Sequence, residues 1–461
     1  MQKISHRNVF LLIASLVFYA VGEPFHIFIM VLSICLNFRF GLLIDELDMK
    51  KNLEQKKNVL VVALLTNLLI LFLFKYEGFI VENINQFTPF TLESNHFVLP
   101  IGISFYTFQA ISYVVDVYRG TVPVQKNLTK LGLYIAFFPQ LIAGPIIRYS
   151  TVNEQIDERK TTLEGFFSGS QLFIIGVGKK VIFANNFSVV SEYAFGTPST
   201  ELSVAMAWLG AICYSLQIFF DFSGYSDMAI GLAKMFGFSF PKNFNYPYIS
   251  KTVSEFWRRW HISLGSWFRD YVYVPMGGSR VSTKERLVFN LLVVWLCTGI
   301  WHGANWQFLI WGFIYFCVLT FEKLLDVEKN LQCVPVVVQL FYRIFVLLLV
   351  NFCWVIFGEQ DLEHAFYHIL SMTGLYVNPM TPFVDPMAVF YFGEVKVFLL
   401  FAVLASTPFF PWVDKTVKQQ LSETQILIFE SCKSCGLMLI LMIAVSYLTI
   451  GAHNPFIYFN F

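Results

Sequence analysis

Long apolar runs separated by short polar connections dominate the hydrophobic pattern of this chain. The runs are continuous and do not alternate at every second position, which favours helices over the strands of a membrane barrel. A helix needs roughly 20 apolar residues to cross a hydrocarbon core, so the pattern predicts a polytopic all-α membrane protein. The predicted spans lie at 8–21, 25–44, 58–74, 97–115, 131–147, 168–185, 202–222, 288–301, 305–322, 336–357, 389–407 and 425–450.

Composition supports this class. The chain has 461 residues, of which 56% are hydrophobic and only 14% charged, against about 25% charged residues in soluble proteins. A net charge of +1 gives no reason to expect a nucleic-acid partner. The expected surroundings are membrane lipid, and we interpret 1–461 as a single membrane-embedded domain.

The first apolar run follows two basic residues, as a signal peptide would, but no small-residue cleavage site comes after it. Glu23-Pro24 leads directly into the next run, so we expect a retained helix. Lysine and arginine are concentrated in 234–286, whereas 186–201 and 358–387 contain neither. The positive-inside rule therefore places 234–286 on the cytoplasmic side.

One stretch, "VVWLCTGIWHGANWQFLIWGF" at 293–313, carries a histidine at its centre. The apolar segment 288–325 would span about 57 Å as one helix, nearly twice a hydrocarbon core of about 30 Å. Basic residues flank both ends, so we predict a helical hairpin. Its break lies at His302-Gly303-Ala304-Asn305, with Gly303 as the conformationally permissive residue.

His302 would lie at the tip of this hairpin. An ionisable residue at membrane depth is by default a functional-site hypothesis, and irregular backbone there is tolerated only when it is buried or lines a watery cavity. The alternative is an imidazole that only forms hydrogen bonds across the hairpin. Cys297 would lie about 140° around the helix from His302, so a cysteine–histidine nucleophile is not expected.

The segment 251–280, "KTVSEFWRRWHISLGSWFRDYVYVPMGGSR", is too charged to cross lipid. Its pattern predicts one amphipathic helix that begins at a Thr252 N-cap, with Glu255 completing a capping box, and ends near Gly265. Within that helix, His261 would lie at the edge of the apolar stripe, and Arg258 would point in a similar direction.

Two interpretations of this segment stay open. Arg258 and Arg259 could reach lipid headgroups while Trp260 joins the aromatic belt of the membrane interface. The arginines could instead bind a phosphate-bearing substrate, since guanidinium groups suit bidentate phosphate contacts.

Other ionisable residues are weaker candidates. Asp221 and Asp227 lie in an apolar setting and are expected to be paired in the interior or to line a passage. His364 and His368 have a spacing compatible with metal ligands, but no HExxH pattern exists, and we expect a solvated loop helix. Cys432-Lys-Ser-Cys435 lacks a second cysteine pair, so no metal site is predicted.

Several segments of the chain closely resemble the membrane-bound O-acyltransferase family, in its alginate O-acetylation branch. The resemblance rests on "EFWRRWHISLGSWFRDYVYVPMGGSR" and "GIWHGANWQFLIWG", and it extends to 99–120, 137–149, 217–248 and the terminal "NPFIYFNF" at 454–461. Members of this family usually have one more apolar segment before the one that aligns with 8–21.

The resemblance implies a helical bundle around a transmembrane tunnel, with His302 as the catalytic histidine and His261 near the same tunnel, where we also assign it a catalytic role. Candidate substrate or tunnel residues are Arg258, Arg259, Trp260, Asp221, Tyr225, Asp227 and Asn305. The implied donor is acetyl-CoA, with no bound cofactor. The implied acceptor is an extracellular polysaccharide or a partner acyltransferase of the SGNH type, and the implied location is a bacterial inner membrane.

Three alternatives remain. The teichoic acid D-alanyl transfer proteins share the Trp-Arg-Arg-Trp-His stretch, so D-alanyl transfer is one. A proton-coupled transporter could use His302, Asp221 and Asp227 as a relay, although the inverted repeats typical of transporters are not visible in the two halves. A scaffold for an exopolysaccharide machine is the third.

Overall fold

The computed structural model describes residues 3–89, 91–94, 97–375 and 381–450. The terminal motif at 454–461 lies outside these residues. Every regular element in the described part of the chain is a helix, and no strand is found there. The predicted all-α class is therefore confirmed.

The helices follow one another along the chain with short connections. They are α1 Ile4–Gly22, α2 Ile27–Met49, α3 Leu53–Lys75, α4 Glu77–Phe87, α5 Ile103–Arg119, α6 Leu128–Ala136, α7 Tyr149–Glu158, α8 Leu163–Gly178, α9 Asn185–Gly196, α10 Val204–Met235, α11 Val253–Arg259, α12 Ile262–Phe268, α13 Lys284–His302, α14 Trp306–Leu324, α15 Val327–Asn330, α16 Val336–Gly358, α17 Leu362–Thr373, α18 Pro386–Ala405, α19 Phe409–Lys418 and α20 Glu423–Thr449. Two π-helical segments, Lys179–Ala184 and Arg269–Tyr273, and two 3₁₀ turns, Pro247–Ile249 and Leu331–Cys333, complete the set.

Nine of the described helical stretches are long and apolar enough to cross a membrane. They are α1, α2, α3, the continuous helix from α8 through α9, α10, α14, α16, α18 and α20. Each of them overlaps a predicted span, so the polytopic membrane architecture is confirmed. Helix α13, which begins at Lys284-Glu285-Arg286, is not one of the nine.

Two further predicted spans differ from the structure. The span at 97–115 corresponds to α5, which has 17 residues, most of them buried. The span at 131–147 is wrong, because α6 ends at Ala136 after nine residues and turns follow. Pro139 explains the end of the helix, since proline lacks the N–H that a helix requires and disfavours helical backbone in the residue before it. Pro145 has the same effect on the turns that follow. This stretch is apolar because it is buried in the protein core.

The described chain divides into two compact units. Unit 1 comprises Met1–Ser170, Ala229–Pro241 and Ser266–Val272, and unit 2 comprises Gln171–Met228, Lys242–Gly265 and Tyr273–Phe461. The interpretation of 1–461 as one membrane-embedded domain stays a prediction.

Unit 1 is built around α5, which packs against α2 and α3. Helices α2 and α3 are joined by a buried amide pair, in which Asn37 and Asn67 donate to each other's side-chain oxygens at 3.0 and 2.8 Å. Such reciprocal polar contacts hold helices together where lipid gives no hydrophobic drive for their association. Helix α1 packs against α6 and α7, and its Asn8 donates to Ile156 O at 2.9 Å.

Unit 2 contains the histidine hairpin. Helices α13 and α14 pack against each other along their length, α14 packs against α11 and α16, and α16 packs against α17. The histidine hairpin and the helices that pack against it, α11 and α16, therefore lie in the same unit.

Candidate active site

The hairpin break lies where the sequence predicts it. Helix α13 ends at His302, the residues at 303–305 are non-helical, and α14 begins at Trp306. Asn305 is the N-cap residue of α14, although its side chain forms no capping bond.

The role of Gly303 differs from the prediction. Its φ of −179° and ψ of 158° are extended backbone that any residue can adopt, so conformational freedom is not what this position requires. Space is the requirement, because a Cβ on Gly303 would lie 2.2 Å from a ring carbon of Phe308. Phe308 in turn contacts Phe357, with ring centroids 5.1 Å apart.

Glycines also bring the two hairpin helices together. A Cβ on Gly299 would lie 2.4 Å from the backbone oxygen of Phe308, and one on Gly312 would lie 2.5 Å from that of Trp295. Small residues that allow backbones to approach are the usual device for packing helices within membranes. The close contact fixes the end of α13 and hence the position of His302.

His302 lies in an aromatic box. Its ring centroid is 4.7 Å from that of Trp301, 5.1 Å from that of Trp311 and 5.0 Å from that of Phe357. The residue is only 6% exposed. The imidazole is therefore enclosed by protein and does not face lipid, while the watery passage beside it stays a prediction.

His261 occupies a break between two short helices. The predicted single helix over 252–265 is wrong, because α11 ends at Arg259 and α12 begins at Ile262 and continues past Gly265. His261 has a φ of +42°, a left-handed conformation that is uncommon for a residue with a side chain. Non-glycine residues held in this region are concentrated at functional sites.

Asn243 holds this break in place. Its backbone oxygen accepts the Ile262 N–H at 2.8 Å, and its side-chain oxygen accepts the Ser263 N–H at 3.1 Å. The same Oδ1 atom lies 3.1 Å from His261 Nδ1. A backbone N–H can only donate, so this Asn243 atom is the oxygen, and His261 Nδ1 must carry the proton.

This tautomer leaves the lone pair of His261 on Nε2. The residue is 2% exposed, and burial lowers the pKa of its imidazole to about 3. His261 is therefore neutral at physiological pH, with a proton on Nδ1 and an accepting nitrogen at Nε2.

The two histidines share one aromatic neighbour. The ring centroid of Trp301 is 6.1 Å from that of His261 and 4.7 Å from that of His302. Phe222 of α10 also contacts His261, with centroids 4.5 Å apart. The structure thus brings His261 and His302, which are 41 positions apart in the chain, into one cluster in unit 2.

The predicted partners of His261 on its own helix lie elsewhere. Arg258 is 54% exposed and forms an ion pair with Glu328, so it does not share a direction with the buried histidine. Arg259 pairs with Glu255 at 2.8 Å and donates to Asn245 O at 3.0 Å. Trp260 is buried against other rings, including Phe256 and Trp354. The chain turns at His261, which separates these side chains from the imidazole.

The capping prediction for α11 is confirmed in part. Thr252 accepts the Glu255 N–H, but the Glu255 carboxylate accepts from Lys251 instead of the N-cap amide. A residue that the sequence analysis missed completes the cap. The buried Glu322 carboxylate of α14 accepts the N–H groups of Val253 and Ser254, both at 2.7 Å. In the sequence, Glu322 could be recognised only as an acidic residue near the end of an apolar helix.

Both aspartates of α10 are paired with lysines. Asp221 lies 2.8 Å from Lys180 and is buried, and Asp227 lies 2.6 Å from Lys179 and is half-buried. The two lysines begin the π-helical segment Lys179–Ala184. The two acids were predicted from the sequence and the two lysines were not, although adjacent lysines inside an apolar run are a visible signal. Tyr225 lies on the same helix and is half-buried.

Two further expectations have different outcomes. His364 is exposed and pairs with Asp361, as a solvated helix requires. His368 is only 1% exposed, and its Nδ1 lies 2.6 Å from Glu359 Oε1, so the expectation of a solvated residue is wrong there. Cys297 is exposed, whereas His302 is buried, which agrees with the expectation that they lie on different faces of α13.

Comparison with known proteins adds a family context. Residues 124–334 match the MBOAT, membrane-bound O-acyltransferase family. The protein named "Probable alginate O-acetylase AlgI" from Azotobacter vinelandii is 40% identical over 371 residues, which are 80% of this chain and 72% of the relative.

Relatives with other acceptors are also similar. The peptidoglycan O-acetyltransferase of Helicobacter pylori is 33% identical over 398 residues, which are 80% of this chain and 74% of that protein. The teichoic acid D-alanyltransferase of Bacillus subtilis is 32% identical over 279 residues, but these are 57% of this chain and 68% of that protein.

Proposed function

Because the chain belongs to the membrane-bound O-acyltransferase family, we propose that it takes an acetyl group from cytoplasmic acetyl-CoA and delivers it across the membrane for O-acetylation of an extracellular polysaccharide. The chain is an O-acyltransferase that crosses the bacterial inner membrane several times. The O-acetylase names of its relatives support an acetyl group and a polysaccharide-type acceptor.

The observation that supports His302 and His261 as the functional residues is that both buried histidines contact the same tryptophan, Trp301. In the proposed reaction the acceptor oxygen attacks the thioester carbonyl, a C–O bond forms and the C–S bond breaks. His302 takes the hydroxyl proton as the C–O bond forms and returns it to the departing thiolate. General base catalysis of this kind is typically worth about 10²–10⁴-fold in rate.

His261 has a different part in this proposal. Since its proton is fixed on Nδ1 by Asn243, Nε2 can accept a hydrogen bond from a hydroxyl or an amide of a substrate, but it cannot donate one to a developing oxyanion. We assign it to orienting a substrate donor group beside His302. The left-handed backbone at His261 aims the ring for this purpose.

The remaining candidates have supporting roles. Asp221 and Asp227 form ion pairs with lysines, so each serves as a structural charge partner and not as a free tunnel carboxylate. Tyr225 and Asn305 stay proposed tunnel residues, and a tunnel from the cytoplasmic side to His302 is itself part of the proposal. The acceptor is either the polysaccharide or a partner acyltransferase of the SGNH type that completes the transfer.

Two alternatives from the sequence, a different acyl donor and a transporter, make different predictions. D-alanyl transfer would use a D-alanyl thioester. The similar teichoic acid D-alanyltransferase of Bacillus subtilis matches a smaller share of this chain than the O-acetylases do. A proton-coupled transporter would need Asp221 and Asp227 to exchange protons. In the structure each of these acids is instead held in an ion pair with a lysine, at 2.8 Å for Asp221 and 2.6 Å for Asp227.

The test uses purified full-length protein in lipid nanodiscs with radiolabelled acetyl-CoA and a de-acetylated polysaccharide acceptor, with and without an SGNH-type partner. Wild type is expected to transfer label, and His302→Ala to lose about 10²-fold or more of the rate. His364→Ala is the matched control, because that histidine is exposed and outside the cluster. Equal label transfer by both variants would reject the assignment of His302. Label transfer from a D-alanyl thioester alone would favour the second donor.

A further inference from the structure

Three arginines from distant parts of the chain converge in unit 1. Arg119 ends α5, Arg148 precedes α7, and Arg269 begins the π-helical segment Arg269–Tyr273. All three contact a single residue, Asp270. We call Arg119, Arg148 and Arg269 the arginine cluster.

Asp270 cannot neutralise this cluster. Its carboxylate is shared between Arg148, at 2.6 Å, and Arg269, whose Nε lies 2.7 Å away. Arg119 contacts the backbone of Asp270 and not its carboxylate, because both of its terminal nitrogens donate to Asp270 O at 3.2 Å. Partial burial raises the pKa of the Asp270 carboxyl, but the hydrogen bond from Arg269 and the charges of Arg148 and Arg269 outweigh this and lower the pKa overall. One negative charge therefore faces three positive ones.

Asp116, the other acid near the arginine cluster, does not balance the remaining positive charge. Asp116 is buried and accepts the Tyr271 hydroxyl at 2.8 Å. Burial raises the pKa of its carboxyl, and the hydrogen bond from Tyr271 and the charges of Arg119 and Arg148 oppose that rise without cancelling it. Even with Asp116 ionised, the cluster keeps an excess of one positive charge.

The geometry holds the arginines ready for a ligand. The guanidinium carbons of Arg119 and Arg148 lie 5.3 and 5.6 Å from the centre of the Tyr271 ring, which is the range of cation–π contacts. Trp267 anchors the same segment, since its ring stacks on Phe108 at 4.1 Å and its N–H donates to Phe108 O. Side chains fixed in advance lose less entropy on binding.

The cluster is also accessible. Arg269 is 63% exposed and Arg119 is exposed, so donors of both guanidinium groups can reach a ligand from solvent. Arginines that only balance charge look different in this protein. Arg258 and Arg259 each have a glutamate of their own, Glu328 and Glu255.

We propose that Arg119, Arg148 and Arg269 form a binding site for the phosphate groups of a ligand. Guanidinium groups match phosphate oxygens with paired hydrogen bonds, and the excess charge favours a dianion over a carboxylate. Two sources share this chemistry, namely the phosphates of a coenzyme A donor and the headgroup of an anionic lipid. The coenzyme A source rests on the proposed function, whereas the phosphate site itself does not.

The experiment measures binding and not turnover, so it is independent of the proposed reaction. Coenzyme A, pantetheine and phosphatidylglycerol are the probes, and full-length protein in phosphatidylcholine nanodiscs is the receptor. Arg119→Gln and Arg269→Gln are compared with Lys50→Gln, because Lys50 is an exposed cation of the same unit that has an acid of its own, Glu46. Thermal unfolding of each variant checks that the fold is kept.

Charge-assisted hydrogen bonds predict about a tenfold or greater loss of coenzyme A affinity in each cluster variant, with Lys50→Gln unchanged and pantetheine binding equal in all. A loss confined to retention of phosphatidylglycerol would support the site with a lipid as its occupant. Equal binding of both phosphate probes by the two cluster variants and Lys50→Gln would overturn the proposal. So would failure of the wild type to bind either probe. The His302→Ala variant should bind coenzyme A as wild type does, which separates this site from the catalytic assignment.

Discussion

The Oδ1 atom of Asn243 lies 3.1 Å from His261 Nδ1 and also accepts hydrogen bonds from the N–H and the hydroxyl of Ser263. One amide oxygen thus sets the tautomer of a buried imidazole and ties down the backbone on its C-terminal side. The arrangement resembles the outer-shell contacts that fix histidine orientation elsewhere in proteins.

Asn243→Asp is expected to change the pH profile of acetyl transfer. A carboxylate at this position favours the imidazolium form and raises the pKa of His261 from its value of about 3. The acid limb of kcat/KM should therefore move towards neutral pH, because protonated His261 no longer offers an accepting nitrogen. Profiles recorded between pH 5 and 8 would show the shift. Superimposable profiles for the two proteins would refute an accepting role for His261.

The same burial makes stability depend on pH. Folded His261 titrates near pH 3, whereas unfolded histidine titrates near pH 6.5, so the unfolded chain binds the extra proton between these values. The contribution of this residue to stability is therefore complete above about pH 6.5 and falls as the pH drops towards 3, by at most about 1.4 kcal/mol per pH unit. His261→Gln should show a smaller loss of Tm between pH 7 and 5 than the wild type. An unchanged pH dependence would mean that His261 is not buried in its neutral form.

Gly303→Ala should disturb the site from the hairpin tip. The added methyl would meet the Phe308 ring at 2.2 Å, and Phe308 packs on Phe357, which encloses His302. We expect about a tenfold or larger loss of kcat, since small misplacements of catalytic groups are costly. Gly393→Ala is the control, because nothing lies within 4 Å of a Cβ there. Similar activity of the two variants would show that Phe308 can move without affecting His302.

The two ion pairs of α10 should differ in strength. Asp221→Asn leaves Lys180 as an uncompensated charge in a buried setting, which typically costs about 3–5 kcal/mol. Asp227→Asn removes a partner of Lys179 at a half-buried position that solvent reaches more than it reaches Asp221, so solvent screening makes the loss smaller. Thermal unfolding of both variants in the same detergent measures the difference. A larger loss of Tm for Asp227→Asn would contradict the assignment of Asp221 as the structural partner.

Hydropathy predicted most of the membrane helices because a span is a local property of about 20 residues. It failed at 131–147, where the same apolar residues are buried by other parts of unit 1 and prolines end the helix. An apolar stretch indicates that its residues avoid water, but it does not show whether lipid or other parts of the protein surround them.

The site could be predicted only where its signals are local. The break at His302 followed from the length of an apolar run and its basic flanks. The break at His261 did not, because the 3.6-residue period continues through it, and the turn is favoured by contacts with Asn243, a residue distant in the chain. The pairing of Lys180 and the burial of His368 were not predicted for the same reason, since tertiary packing brings their partners Asp221 and Glu359 to them.

The role of His302 as the base for acyl transfer is tested by the rate constant for acetyl transfer at saturating acetyl-CoA, compared between wild type and His302→Gln in nanodiscs. Glutamine keeps polar atoms in the aromatic box but cannot take a proton at neutral pH. We therefore expect a fall in kcat of about 10²-fold or more with coenzyme A affinity unchanged. A His302→Gln variant that retains the wild-type rate constant would contradict it.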